Sequence, residues 1–408
     1  MRWFIFILIY LLVDIYSYQA VRTVSKSSWI LIIYFLLSFS VLIALYFLLN
    51  SSGSSNFMAP PKNYLFGIFL VIFLPKLLLV IFMFGEDVMR FFTGLFFKFS
   101  ANESDFYLPS RRKFISTMAL GLAAIPFSSL LYGMVRGKYN YKVLKYELEF
   151  DDLPEAFDGF TITQISDIHS GSLDNHHKIK YAVDLVNAQQ SDVILFTGDL
   201  VNNVAEEMNE WKSLFSTLSA KEGVFSILGN HDYGDYIRWE NEVDKSKNLS
   251  NLKNLQGEMG WDLLLNEHRF LEKNNERIAL IGVENWGENG FKKAGDLDKA
   301  FNGISQDDFK IVMSHDPSHW KSVVKKDSRN FHLTLSGHTH GMQFGIEIPG
   351  WIKWSPIKYR YENWAGIYED NGRFINVNRG FGYLGYPGRV GIWPEISVIK
   401  LKKRRHNA

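Results

Sequence analysis

The 408-residue sequence contains no cysteine. That excludes a disulfide framework, a thiolate zinc site, an iron–sulfur cluster and a cysteine nucleophile. It leaves the compartment open, because exported proteins need not carry disulfides. Net charge is also scarce: 44 Lys and Arg stand against 43 Asp and Glu, a formal balance of +1. Such a balance makes no electrostatic case for nucleic acid as a partner, whose binders carry a basic footprint. Acid is nearly missing from the first part, where Asp14 is the only acidic residue before Glu86. Neither a G-x-S-x-G elbow nor a P-loop occurs, which removes two common routes to ester and phosphoryl chemistry. What the chain has instead is aromatic residues, 15% of the total with 33 Phe. Its mean hydropathy of −0.06 averages two stretches suited to two different solvents.

The first stretch belongs to a membrane. Trp29–Leu49 and Tyr64–Phe84 are apolar runs of about the 20 residues that cross a hydrocarbon core as a helix. Trp3–Tyr18, interrupted by Asp14, and Phe114–Val135, milder and rich in Ala, Gly and Ser, are the other expected spans. Pro75 and Lys76 fall inside the Tyr64–Phe84 run; a spanning helix tolerates the proline, and the lysine must snorkel or find a partner. Residues 1–135 are therefore expected to form an all-α transmembrane region, with Ser51–Asn63 as a loop. The loop Ser17–Ser28 carries Arg22 and Lys26, and Gly85–Lys113 carries Arg90, Lys98, Arg111, Arg112 and Lys113. Placing these richer loops inside sends the chain after Val135 out of the cytoplasm. The expectation is a multi-pass protein of a bacterial cell membrane with an extracytoplasmic domain at 136–408. Residues 110–114 (SRRKF) and the apolar stretch after them resemble a twin-arginine export signal, displaced here to an internal position.

From about Tyr141 acidic residues and glycines become frequent and the apolar runs shorten to strand length. Phe160–Ser166 is followed by Asp-Ile-His, Asp192–Thr197 by Gly-Asp, and Gly223–Leu228 by Gly-Asn-His-Asp. Phe309–Ser314 is followed by His-Asp, and Phe331–Ser336 by Gly-His-Thr-His. These runs, rich in β-branched and aromatic residues, suit buried strands. Tyr181–Asn187 and Glu206–Leu218 read as connecting helices, so a layered α/β fold is expected. In such folds sites form beyond the carboxyl ends of the strands, where loops leave a rigid frame.

The residues delivered there are Asp167, His169, Asp199, Asn230, His315, His338 and His340, with His231 beside them. Carboxylates, imidazoles and one amide oxygen suit Mn, Zn or Fe. The set exceeds what one ion with open positions requires. Two divalent ions sharing a carboxylate, spaced about 3.5–4 Å apart, fit better and can clamp a phosphoryl group.

The series D-x-H … G-D … G-N-H-D … H … G-H-T-H resembles the calcineurin-like metallophosphoesterase superfamily over roughly Lys142–Lys400. Within it the chain is most similar to the membrane-anchored bacterial branch related to UDP-2,3-diacylglucosamine hydrolases, and the tail Asn378–Leu401 shares that likeness. The resemblance implies a four-layer α/β-β/α sandwich with metals at the loop edge. It implies that Asp167, His169 and His340 bind one metal, that Asn230, His315 and His338 bind the other, and that Asp199 bridges them. His231 would stabilise or protonate the leaving oxygen, and the nucleophile would be metal-bound hydroxide attacking in line.

Other residues carry weaker expectations. His268, His319 and His332 read as structural, and His176 and His177 could touch substrate. Asp232 and Asp316 are expected to orient neighbouring histidines or to serve turns, and Glu284 and Asn285 to lie at a site rim. Trp351, Trp354, Trp364 and Tyr383 form either a lipid-facing rim or a plain core. Protein phosphatases of the superfamily carry G-D-x-x-D-R-G and G-N-H-E, whereas this chain has GDLVNN and GNHD, which argues against phosphoprotein substrates. The tether favours a phosphoester or pyrophosphate on a lipid or lipid-linked substrate. A small-molecule or cyclic-nucleotide phosphodiesterase is the alternative, and a membrane sensor or transport protein with a metal-binding outer domain is the alternative from another class.

Overall fold

The computed structural model describes residues 2–50, 60–99, 109–288 and 290–405. The chain divides into two compact units, a helical one of residues 1–53 and 64–135, and a second one of residues 136–408 together with 54–63. The helical unit has α1 (Arg2–Val24), α2 (Ser28–Asn50), α3 (Pro60–Phe99) and α4 (Pro109–Val135). All four are long and apolar enough to cross a membrane. Their outward faces are strongly apolar, as a helix facing lipid requires. At 40 residues α3 outruns the expected 64–84 stretch. Nothing after Phe84 stops it, and Arg90 adds pairs to Glu86 and Asp87 one turn back.

Two polar clusters stitch this unit. Lys76 on α3 donates to Asp14 Oδ1 on α1 at 2.6 Å and to Ser38 Oγ on α2 at 2.7 Å. Tyr34 OH donates to the Asp14 carbonyl at 2.9 Å. The lysine thus has a partner inside the bundle, where an unpaired charge is costly. Arg112 of the paired-arginine motif donates to Asp87 at 2.6 Å and to Gln19 at 3.1 Å, so it ties α4 to α3 and α1.

The second unit is built on two six-stranded sheets. The strands in chain order are β1 (Lys142–Phe150), β2 (Thr161–Ile165), β3 (Val193–Phe196), β4 (Val224–Ser226) and β5 (Trp261–Leu263). There follow β6 (Glu267–Lys273), β7 (Glu276–Gly282), β8 (Phe309–Met313), β9 (Leu333–Ser336), β10 (Ile346–Ile348) and β11 (Ile352–Trp354). The series ends with β12 (Gly366–Asp370), β13 (Arg373–Val377) and β14 (Glu395–Lys403). One sheet has the order β1-β14-β2-β3-β4-β5, the other β12-β13-β9-β8-β7-β6, and β10 and β11 form a separate hairpin. The strands β2 to β5 are mutually parallel, as are β7, β8, β9 and β13.

Side-chain alternation along each strand sorts the apolar residues into layers. Val193 and Leu195 pack between the sheets with Ile278 and Leu280, whereas Ile194 and Phe196 face outward. The outer face of the first sheet is covered by α5 (His176–Asn187), α6 (Lys212–Phe215) and α7 (Glu242–Glu258), through Ile179, Val183, Phe215 and Leu252. The outer face of the second is covered by α8 (Leu297–Phe301) and α9 (Ser318–Ser322), through Leu297, Ala300 and Trp320. The result is the expected four-layer α/β-β/α sandwich. The expected helix over Glu206–Leu218 is instead a short 3-10 turn followed by the four residues of α6.

A buried polar link joins the sheets beneath their shared edge. Gln164 on β2 donates to the Ser336 carbonyl on β9 at 2.9 Å and accepts from Asn376 on β13 at 2.8 Å. Satisfied this way, the amide specifies how the two sheets register against each other.

Candidate metal centre

Each expected ligand lies beyond the carboxyl end of a parallel strand. Asp167 and His169 follow β2, Asp199 follows β3, and Asn230 and His231 follow β4. From the other sheet, His315 follows β8, and His338 and His340 follow β9. The loops turn sharply: Asp167, His169, Asp199, His338 and His340 all have positive φ, between 48° and 72°. Such non-glycine conformations cost of order 1–3 kcal/mol each and persist where packing over-determines them. Gly337 allows the close approach of the two sheets, since a Cβ there would overlap Ser166 Oγ and Asp167 Oδ2.

The side chains form two groups. Asp167, His169 and His340 bring one ligand atom each to within 4.8 Å of one another, and so do Asp199, His315 and His338. In the first group His169 Nε2 lies 3.0 Å from His340 Nε2, and His340 Nε2 lies 3.3 Å from Asp167 Oδ1. In the second, His338 Nδ1 lies 2.7 Å from Asn230 Oδ1 and 3.3 Å from His315 Nε2. Asp199 Oδ2 stands between the groups, 3.6 Å from His169 Nε2 and 3.2 Å from His315 Nε2.

The surroundings orient these atoms. His169 Nδ1 donates to Asn202 Oδ1 at 3.1 Å, and His315 Nδ1 to the Thr197 carbonyl at 2.7 Å, so both turn Nε2 to the cluster. Asn230 Nδ2 donates to Tyr236 OH at 2.7 Å, which leaves Oδ1 facing His338. His338 Nε2 is held by Tyr361 OH at 2.8 Å. His231 Nδ1 donates to the Asn202 carbonyl at 2.8 Å, and its backbone N–H to Asp199 Oδ1 at 2.8 Å.

Electrostatics point the same way. Burial keeps His169, His231 and His338 below the ordinary histidine range, hence neutral and able to ligate. Burial opposes charge on His315 too, but the Asp199 and Asp167 carboxylates outweigh it and push that histidine up to about 10. Burial likewise opposes ionisation of Asp199 and Asp167, yet neighbouring histidines hold both well below the usual carboxylate range. A buried nest of ring nitrogens and two carboxylates that favours positive charge fits divalent cations.

Several side expectations resolve differently. Asp232 does not orient a histidine. It accepts from the backbone N–H groups of Asp199, Gly229 and Leu200 at 2.9, 2.8 and 2.8 Å, locking two ligand loops together. Asp316 Oδ1 accepts from Ser318 N at 2.8 Å, a turn role, and its Oδ2 lies 3.9 Å from His338 Nε2, beyond hydrogen-bond reach. His332 pairs with Asp152, His268 with the Ala300 carbonyl, and His319 stacks on Trp286, all outside the cluster. His176 stacks on Trp211, and neither it nor His177 joins the cluster. Glu284 accepts from Tyr233 OH and Asn285 donates to the Lys292 carbonyl, so both brace loops. Trp364 and Tyr383 are buried, Trp354 is half-buried and Trp351 is exposed. Residues that spacing did not reveal include Asn202, Tyr236, Tyr361 and Arg389, which donates to His340 Nδ1 at 3.2 Å. Asn202 lies within GDLVNN, where the chain departs from the protein phosphatases; Tyr361 and Arg389 stand in irregular chain with no motif to mark them.

The fold and site define a metallophosphoesterase with an apolar helical region. Residues 160–342 match the family Calcineurin-like phosphoesterase, and residues 1–138 match Probable Calcineurin-like phosphoesterase, transmembrane domain. The chain thus carries a calcineurin-like phosphoesterase domain at 160–342, preceded at 1–138 by a segment that matches the transmembrane domain found with it. It is 27% identical over 283 residues to a transmembrane protein with metallophosphoesterase domain from Danio rerio, covering 67% of this chain and 60% of that one. It is 28% identical over 302 residues to the uncharacterized metallophosphoesterase YkuE of Bacillus subtilis, covering 72% of this chain and 98% of that one.

Proposed function

We propose that this protein is a membrane-anchored phosphoric ester hydrolase that uses two divalent metal ions to cleave a phosphoester or pyrophosphate bond on a lipid or lipid-linked substrate. The observation that carries the two-metal reading is Asp199 Oδ2, which stands 3.6 Å from a ring nitrogen of one ligand group and 3.2 Å from a ring nitrogen of the other. Asp167, His169 and His340 would hold one ion and Asn230, His315 and His338 the other, with Asp199 shared. When bound, the ions supply positive charge against the phosphoryl oxygens and activate water.

The chain's own residues do the rest. Asn202 and Thr197 fix the tautomers of His169 and His315. Asp232 holds the backbone of the Asp199 and Asn230 loops, so the ligands need little reorganisation. With Nδ1 committed to the Asn202 carbonyl, His231 has Nε2 free to exchange a proton with the leaving oxygen. The lipid reading is supported by the four apolar helices, which keep the site at a bilayer. The likeness of the Asn378–Leu401 tail to UDP-diacylglucosamine hydrolases supports it further. The Lys and Arg bias of the loops supports an extracytoplasmic second unit in a bacterial cell membrane.

The test is metal content and hydrolysis of bis-p-nitrophenyl phosphate and of lipid phosphoesters in vesicles by the purified chain. Two metals per chain, activity lost in Asp199→Ala, and turnover of the vesicle substrate are expected. One metal per chain would end the dinuclear reading, and turnover of soluble diesters alone would end the lipid reading.

A further inference from the structure

The segment between His340 and Trp364 leaves the ligand loop and returns to it. Ser355 Oγ donates to the Gly341 carbonyl at 2.8 Å, Tyr361 OH holds His338 at 2.8 Å, and Thr339 Oγ1 donates to the Trp364 carbonyl at 2.7 Å. Its outermost part is the β10–β11 hairpin, which pairs Ile346 with Trp354, Glu347 with Lys353, and Ile348 with Ile352. Alternation puts the isoleucines and Trp354 on one face and the two charged residues on the other.

This hairpin is turned inside out. A sheet with one solvated face normally shows water its polar side. Here the polar side is tied to the domain: half-buried Glu347 pairs with the buried Arg379 at 2.6 Å, and Lys353, itself exposed, donates to the Ala365 carbonyl and lies 4.8 Å from the Tyr368 ring. The apolar side is the open one, with Ile346 52% and Ile348 42% exposed and their partners Trp354 and Ile352 half-buried, and Trp351 at the turn is 77% exposed. A two-stranded hairpin has too little core of its own to justify such a face, and a contiguous exposed apolar patch marks a contact surface.

The chemistry around the patch selects its occupant. Over Met342–Arg360 the only acid is Glu347, which pairs with an Arg379 that also holds Glu395, against Lys353, Lys358 and Arg360. Lys358 and Arg360 are exposed, as is Tyr359 at 77%. Aliphatic side chains with an outlying Trp and Tyr, ringed by basic residues, match the boundary of an anionic bilayer, where indole and phenol rings settle and cations meet lipid headgroups. A protein surface would call for acidic partners and shape complementarity that nothing here specifies. The chain's apolar helices keep a bilayer at high effective concentration.

We propose that the apolar face of the β10–β11 hairpin docks on the surface of an anionic phospholipid bilayer and brings the His338–His340 loop to lipid-borne phosphoesters, the latter part resting on the lipid reading above. The absence of cysteine makes the test direct. Ile348→Cys in the full chain gives one site for a nitroxide label, with Trp351 left in place, and Val243→Cys on α7, exposed to water, gives the reference. The chain is reconstituted in nanodiscs of phosphatidylcholine with or without phosphatidylglycerol, and label collisions with oxygen and with a water-soluble nickel chelate are compared. At residue 348 the oxygen-to-nickel ratio should rise roughly tenfold over the reference in anionic discs, as insertion ~5–10 Å into the boundary requires, and fall when phosphatidylglycerol is omitted. A ratio equal to the reference in both discs overturns the proposal. So does protection already present in lipid-free amphipol, which would assign the face to a second copy of the chain. An embedded label in a protein inert towards lipid phosphoesters would keep the docking and reject the lipid substrate; an aqueous label with lipid turnover intact would do the reverse.

Discussion

Replacing Asn202 by Ala should weaken metal binding without touching the proton-transfer group. The side chain reaches the ligand set by accepting from His169 Nδ1 at 3.1 Å through Oδ1. Its own position is fixed by two further bonds. Nδ2 donates to Ser172 Oγ at 3.0 Å, and the backbone N–H donates to Glu207 Oε2 at 2.6 Å. His231, by contrast, is held by the backbone carbonyl of the same residue at 2.8 Å, which alanine retains. Losing an outer partner of a metal-bound histidine costs about 10–100-fold in affinity, or roughly 1.4–2.8 kcal/mol. On the proposed two-metal reading, the loss should fall on the ion at Asp167, His169 and His340 and spare the other. Competition against a chelator, read by metal analysis, gives the two affinities separately from activity. Hydrolysis of a soluble diester should then return to near the wild-type rate at saturating metal, because His231 is undisturbed. Unchanged affinity at both sites would refute the orienting role. A deficit that saturating metal leaves in place would show that the amide acts on the chemistry itself.

Further outcomes follow from the buried charges. Lys76→Met leaves Asp14 unpaired inside the helical unit, so it should cost about 3–5 kcal/mol, whereas Asp14→Leu with Lys76→Met should cost less than the sum of the single changes. Denaturant titration of the detergent-solubilised chain measures the cycle, and strict additivity would mean that the pair at 2.6 Å is not coupled. His319 gives a pH dependence. Burial holds it down at about 3, against a partial pull upward from Asp316 and a further push down from Lys293. Its ordinary value is 6.5, so between pH 6.5 and 3 the unfolded chain binds a proton that the folded chain refuses, and stability falls as pH falls. The slope is about 1.4 kcal/mol per pH unit, or about 2 kcal/mol by pH 5, with no further loss below pH 3. Thermal melts at pH 7.5 and 5 should show a larger drop for the wild type than for His319→Asn; equal drops would remove His319 as the cause.

The candidate ligands that the structure gathers were legible because the signal is local. A short buried run followed by Asp, Asn or His at a turn is a strand and its C-terminal loop, as with Val193–Phe196 and Asp199. The membrane runs were legible for a similar reason, since about 20 apolar residues need no distant partner to declare themselves. Lys76 announced that it needed a partner, but only packing of α1 against α3 made that partner Asp14. Asp232 reads as a histidine's partner because its neighbour in sequence is His231, whereas its carboxylate turns to backbone N–H groups up to 33 residues away. The outward-facing hairpin was hidden because alternation reveals two faces and not which of them the domain covers.

The amino-acid sequence by itself determined the two kinds of stretch, the strand-and-loop units and the candidate metal-binding donors, all set by neighbours within one run or turn. Tertiary structure alone decided how those donors divide. Asp199 and His315 come from different sheets, 116 residues apart, and meet at 3.2 Å because the sheets pack face to face and end at one edge. Likewise β14, the last strand, inserts between β1 and β2, a neighbour relation that no local pattern encodes. Hydrophobic burial is non-directional and specifies only that the sheets must cover each other. The register is supported by buried polar links such as Asn376 Nδ2 to Gln164 Oε1 and Gln164 Nε2 to the Ser336 carbonyl, which are directional and so help place the two ligand groups opposite each other.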